Sequence, residues 1–144
     1  MRAPVLLVGS DAAGVRRVRD DFISGGLLNP VQACTDGEDA AAYVLGHGDY
    51  AYRDQHPLPA VVVTELRLRV GDGVDLLRAV RSTPATRRTP VIVIGTDADD
   101  GAIAALHELG VTAYLSHHVA QRALLDVIRA LPVPWSLGRV EAGP

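Results

Sequence analysis

Polar side chains of chemically useful type stand where three apolar runs end. Glu65 follows Ala60 to Val63 and Thr64, Ser10 and Asp11 follow Val5 to Val8 and Gly9, and His117 and His118 follow Ala113 to Leu115 and Ser116. Ser10, His117 and Glu65 are the types of a nucleophile, a base and its orienter. Ser10 lacks the strained elbow motif that exposes a nucleophilic serine, and the same three types occur together in many chains that hydrolyse nothing. His117, His118 and Glu65 could ligate a transition metal, but adjacent histidines on a loop face opposite ways, which favours a solvated pair. Gly9-Ser10-Asp11-Ala12-Ala13-Gly14 has the outline of a dinucleotide fingerprint. Asp11 in place of its middle glycine sets a carboxylate where a pyrophosphate needs bare backbone. A flavin phosphate loop asks for several hydroxyls, and only Ser10 is there.

The elements that must position these residues follow from length and patterning. A chain of 144 residues, 48% hydrophobic, fits one globular domain. The net charge of −3 gives no sequence-independent attraction to phosphate backbones, so direct nucleic-acid binding is not expected. Cys34 is the only cysteine, which excludes an internal disulfide and a cysteine-rich zinc site. The first apolar run is too short for a signal peptide or a membrane span, so a cytoplasmic protein with no membrane contact is expected.

Short apolar runs at Val5 to Val8, Val31 to Cys34, Ala60 to Val63, Val91 to Ile94 and Ala113 to Leu115 predict five strands. Between and after them, helices are predicted from Ser10 or Asp11 to Gly25, from Gly37 to about Leu45, through Val74, Leu77 and Val80, from Asp99 to Leu109, and from Val119 to Leu131. Gly46 to Pro59 reads as a long connection in which Tyr50 and Tyr52 pack locally or against a partner. Connections too long for hairpins argue an α/β fold, a flavodoxin-like (βα)5 doubly wound parallel sheet of strand order 2-1-3-4-5. Residues 1–131 form that domain and residues 132–144 a tail. The loops at the carboxyl edge then gather Gly9 to Asp11, Glu65 to Asp72, Gly95 to Asp97 and Ser116 to His118, where any site should lie.

The order of smaller landmarks resembles the receiver domain of bacterial response regulators. They are Asp36-Gly37-Glu38-Asp39-Ala40 opening the second helix, Gly71-Asp72-Gly73 after the third strand, Thr89-Pro90-Val91 before the fourth, and Leu109-Gly110 ahead of Ala113-Tyr114-Leu115. Leu27 to Pro30 and Pro57-Leu58-Pro59 look like the stand-alone receivers that work with phytochrome-type sensor kinases. The resemblance implies an aspartate phosphoacceptor after the third strand, Mg2+ on acidic residues after the first, a Ser/Thr after the fourth and a lysine after the fifth. Here the acceptor position holds Glu65, the acidic pair is Gly9 and Ser10, the hydroxyl position is Gly95, followed by Thr96, and the lysine and its proline are His117 and His118.

Mg2+ wants oxygen ligands in octahedral array, and phosphoryl transfer relies on that ion and a fixed cation. Mg2+ binding is therefore expected to be weak or absent, and the resemblance then implies a non-enzymatic, degenerate receiver. A conventional phosphoacceptor using Glu65 or Asp11 is the disfavoured reading, with Asp11 equally a plain helix cap. Glu65 either imitates a phosphoryl-aspartate or is a solvated strand-end carboxylate, with Arg67 or Arg69 free to fold back onto it. Tyr114 takes the place of the family's switch aromatic, though without its hydroxyl partner it reads as the amphipathic residue of an edge strand. A sensor kinase or other signalling protein and a second copy of the chain are the implied partners. His107, Tyr114 and Trp135 are the candidate contact residues. The alternative is that the less charged pocket takes a small molecule or anion.

Overall fold

Four of the helices begin where a short polar side chain turns back on the backbone. The computed structural model describes residues 3–96 and 100–131. Asp11 accepts from the Ala13 and Gly14 amides, each at 3.2 Å, and starts α1 (Ala12–Ser24). Asp36 accepts from Asp39 N at 2.7 Å and starts α2 (Gly37–Leu45). Asp72 does the same for α3 (Gly73–Ser82), through Asp75 N at 2.9 Å. Ser116 caps α5 (His117–Arg129) through Val119 N at 3.2 Å. A lost aspartate cap costs about 1 kcal/mol. Asp36→Ala is accordingly expected to lower the unfolding free energy by about that amount in urea titration, with the slope of the titration unchanged.

Five β-branched or apolar runs make the strands, β1 (Val5–Val8), β2 (Val31–Cys34), β3 (Val61–Glu65), β4 (Val91–Gly95) and β5 (Ala113–Ser116), with α4 (Asp100–Glu108) between the last two. They pair in parallel in the order β2-β1-β3-β4-β5. This is the flavodoxin-like topology expected from the connections. The register sets Val8 beside Thr64 and Glu65 beside Ile94, so the ends of β1, β3 and β4 share one edge. Successive strand residues alternate between two apolar layers. Val5, Leu7, Val61, Val63, Ile92 and Ile94 face α1 and α5, where Phe22, Leu124 and Ile128 meet them. Leu6, Val8, Val62, Val91 and Val93 face α2, α3 and α4, where Tyr43, Leu76, Leu77 and Leu106 meet them.

Two local features differ from the sequence-based expectation. The last helix starts at His117 rather than Val119, because Ser116 supplies an N-cap and no proline interrupts the first turn; His117 and His118 are thus helical residues, not loop residues. The connection from Gly46 to Pro59 contains a 3₁₀ turn, Gly48–Ala51. It is pinned inward by Tyr50, whose hydroxyl donates to Asp39 at 2.9 Å, and by Tyr43, whose hydroxyl donates to the Pro57 carbonyl at 2.7 Å. His56 stands edge-on to both rings. Tyr52, by contrast, is exposed. Among the described residues no helix is long and apolar enough to cross a membrane.

Candidate functional site

β3 carries Glu65 out of the core at the carboxyl edge of the sheet, leaving its side chain 29% exposed. The carboxylate does not reach for solvent. It turns across to the end of β1, where Oε2 accepts from the Ser10 backbone N–H at 2.8 Å and from Ser10 Oγ at 3.1 Å. Gly9 makes this approach possible, since a Cβ there would lie 2.7 Å from Val15 Cγ2 and 3.4 Å from Glu65 Oε2. The other oxygen, Oε1, faces His117 Nε2 at 3.5 Å, longer than a good hydrogen bond. Arg67 and Arg69 are not its partners; Glu65 is held by Ser10 and His117 instead.

Chemical roles can be tested against this geometry. Ser10 gives its hydroxyl to the carboxylate, so the serine, histidine and acid are arranged around the acid rather than around the base, the wrong order for nucleophile activation. The carboxylate of Asp11 caps α1. No three histidine, cysteine, aspartate or glutamate side chains converge into a metal-holding group among the described residues. Between them Ser10, Glu65, Arg67, Gly95, Thr96 and His117 enclose only about 170 Å³.

At the next strand end, Gly95 is buried beneath the Tyr114 ring. A Cβ on residue 95 would come within 2.6 Å of the Tyr114 hydroxyl oxygen and 3.2 Å of Cε2. The ring occupies the space that a side chain on β4 would need. His118 and His107 are exposed, on the first turn of α5 and the last turn of α4. Trp135 and Asp97 lie outside the described residues. Sequence reasoning passed over the apolar lining between α1 and α5 that runs down from Glu65; Gly9 after β1 and Gly14 in the first turn of α1, two absent side chains, were its trace.

No family model matches the chain. The response regulator Rcp1 of Synechocystis sp. is 25% identical over 131 residues, which cover 91% of this chain and 87% of Rcp1. Among solved structures, the Mn2+-bound form of Rcp1 superposes with a TM-score of 0.75 at 25% identity, over 93% of this chain and 94% of that one. The bacteriophytochrome response regulator RtBRR superposes with a TM-score of 0.79 at 28% identity, over 100% of this chain and 84% of that one.

Proposed function

We propose that the chain, similar over most of its length to the response regulators Rcp1 and RtBRR, is a receiver domain that signals without acyl-phosphate chemistry, as a non-enzymatic binding partner of a sensor kinase or another signalling protein. The observation that carries this reading is the state of Glu65. Where the receivers it resembles present a free aspartate to a phosphoryl donor, this carboxylate is folded back onto Ser10, with both of the serine's donors on one oxygen. A nucleophilic oxygen tied in this way attacks poorly, no convergent metal set stands by among the described residues, and the sequence has no lysine to neutralise the transferring group. The bent carboxylate also provides a permanent negative charge at the strand edge, one that a phosphoryl group would otherwise bring.

Tyr114 supports the same reading. Receivers couple phosphorylation to an aromatic ring that moves between outward and inward positions, and here Gly95 leaves the inward position vacant for the ring to fill. The face of α4, β5 and α5, with His107 and Tyr114, is then presented in one form, and a cytoplasmic homodimer through that face is part of the proposal.

The test is chemical. Incubated with acetyl phosphate and Mg2+, the intact chain is expected to keep its mass, while a receiver with the acceptor aspartate and acidic pair gains a phosphoryl group under the same conditions. A phosphoryl adduct mapped to Glu65 or Asp11 would overturn the reading.

A further inference from the structure

The α1–α5 side of the sheet contains a cleft of about 590 Å³ that opens directly beneath Glu65 and His117. At its closed end the two helices touch: Leu125 packs over Gly25, and the Arg129 guanidinium donates to the Gly25 carbonyl. Towards the strand ends the side chains that would fill the gap are missing, because Gly9, Gly14 and Ala120 line it there. The walls are apolar, built from Val15, Val18 and Phe22 of α1 and Leu124 and Leu125 of α5 over Leu7, Val63 and Ile94 of the sheet. Its volume is that of a pocket for a small organic molecule.

We propose that this cleft is a binding site for a compact aromatic or alicyclic molecule bearing a single ammonium group, its ring on Val18, Phe22 and Leu125 and its nitrogen on Glu65 Oε1. The polar group at the inner end decides the class. Oε2 is occupied by Ser10, while among the described residues Oε1 has only the imidazole at 3.5 Å, a contact that a better placed N–H donor can replace. A carboxylate at the head of an apolar pocket favours a cation or a strong donor and repels an anionic head. Arg17 and Asp21, four residues apart on α1, bring opposite charges to the outer rim, and Arg122 is exposed and free to turn to solvent. The rim therefore does not reject an ammonium ion. This proposal extends the preceding one, since it gives the tied carboxylate a ligand; it stands or falls by binding, not by phosphorylation, so the two tests fail separately.

Three probes of one ring system and different head charge test it: tryptamine, indole and indole-3-acetate, titrated into the full chain and followed by amide chemical shifts. Tryptamine is expected to shift the amides of Gly9, Val18, Ala120 and Leu125 and to bind more tightly than indole, with indole-3-acetate weakest. Glu65→Gln should weaken tryptamine by about tenfold and leave indole unchanged. Gly14→Leu should block all three; the position is helical with a negative φ, and the only close neighbour of its new Cβ is the Asp11 carboxylate, so the variant keeps its helix. Ala120→Leu is the second blocking variant, from the opposite wall. Absence of shifts at millimolar tryptamine, indole-3-acetate binding as tightly as tryptamine, or shifts confined to the outer surfaces would overturn the proposal. So would nuclear Overhauser contacts between Trp135 and Val18 or Leu125 in the free protein, which would give the cleft to the chain's own tail.

Discussion

Gly95→Thr is expected to expel the Tyr114 ring from the end of β4 and to destabilise the fold by about 1–3 kcal/mol, the usual cost of forcing atoms into a filled space. The new Cβ would sit 2.6 Å from the phenol oxygen and 3.3 Å from Cζ, so ring and side chain cannot both stay. The backbone at 95 is bound into the sheet opposite Ser116 and cannot retreat. The tyrosine is half-buried on β5, so the ring is what moves. Its resonances should shift toward those of a solvent-exposed tyrosine, and nitration by tetranitromethane should increase at Tyr114. Tyr114→Ala in the same background should recover much of the lost stability, because the two residues compete for one volume and their effects do not add. Unchanged ring resonances in Gly95→Thr would show that the inward position is not what Gly95 provides.

A second large effect is expected in alkali. Burial first, then the charge of Asp39 and a hydrogen bond to it, raise the Cys34 thiol far above its usual range. Burial, followed by the bond to Asp39, raises the Tyr50 phenol, and burial raises Tyr43. All three groups keep their protons in the native chain at a pH where an unfolded chain releases them. The native state then binds more protons than the unfolded one, and stability falls as pH rises, beginning near pH 9 where an unperturbed thiol ionises. Cys34 alone contributes a loss of about 1.4 kcal/mol per pH unit above that point. Tyr50 is more open to water and adds less. Urea titrations from about pH 8 to about pH 11 should therefore show a steep decline, shallower in Cys34→Ala by the contribution of one group. A stability flat across that range, or a Cys34→Ala profile parallel to the parent's, would remove the thiol from this account.

The strands, their order and the cap of the first helix were legible because each depends on a few consecutive residues. Val61, Val62 and Val63 read as a doubly buried strand in any context, and Asp11 stands directly before an amphipathic helix. What stayed hidden depends on groups far apart in the chain. That Glu65 would turn to Ser10, 55 residues away, follows from the space left by Gly9 and not from any spacing in the sequence. Tyr114 over Gly95 needs the register of β4 against β5. The cleft needs the packing of α1 against α5, which two amphipathic patterns do not specify. The histidine pair was misplaced by two residues for a simpler reason: Ser116 reads as a strand end until its hydroxyl is seen to cap a helix.

The ring held over Gly95 bears on how such a protein could carry information at all. A switch stores a message in the occupancy of two shapes, and its cellular supply can stay constant while the message changes. On the proposed reading, a domain with its aromatic lodged in one place and no phosphoryl group to come and go would offer one shape unless its cleft is filled. The proposed partner would then count only how many copies are present, or how many have a filled cleft. Dosage, set by synthesis and turnover, would take over the part that a kinase and a phosphatase play for its relatives.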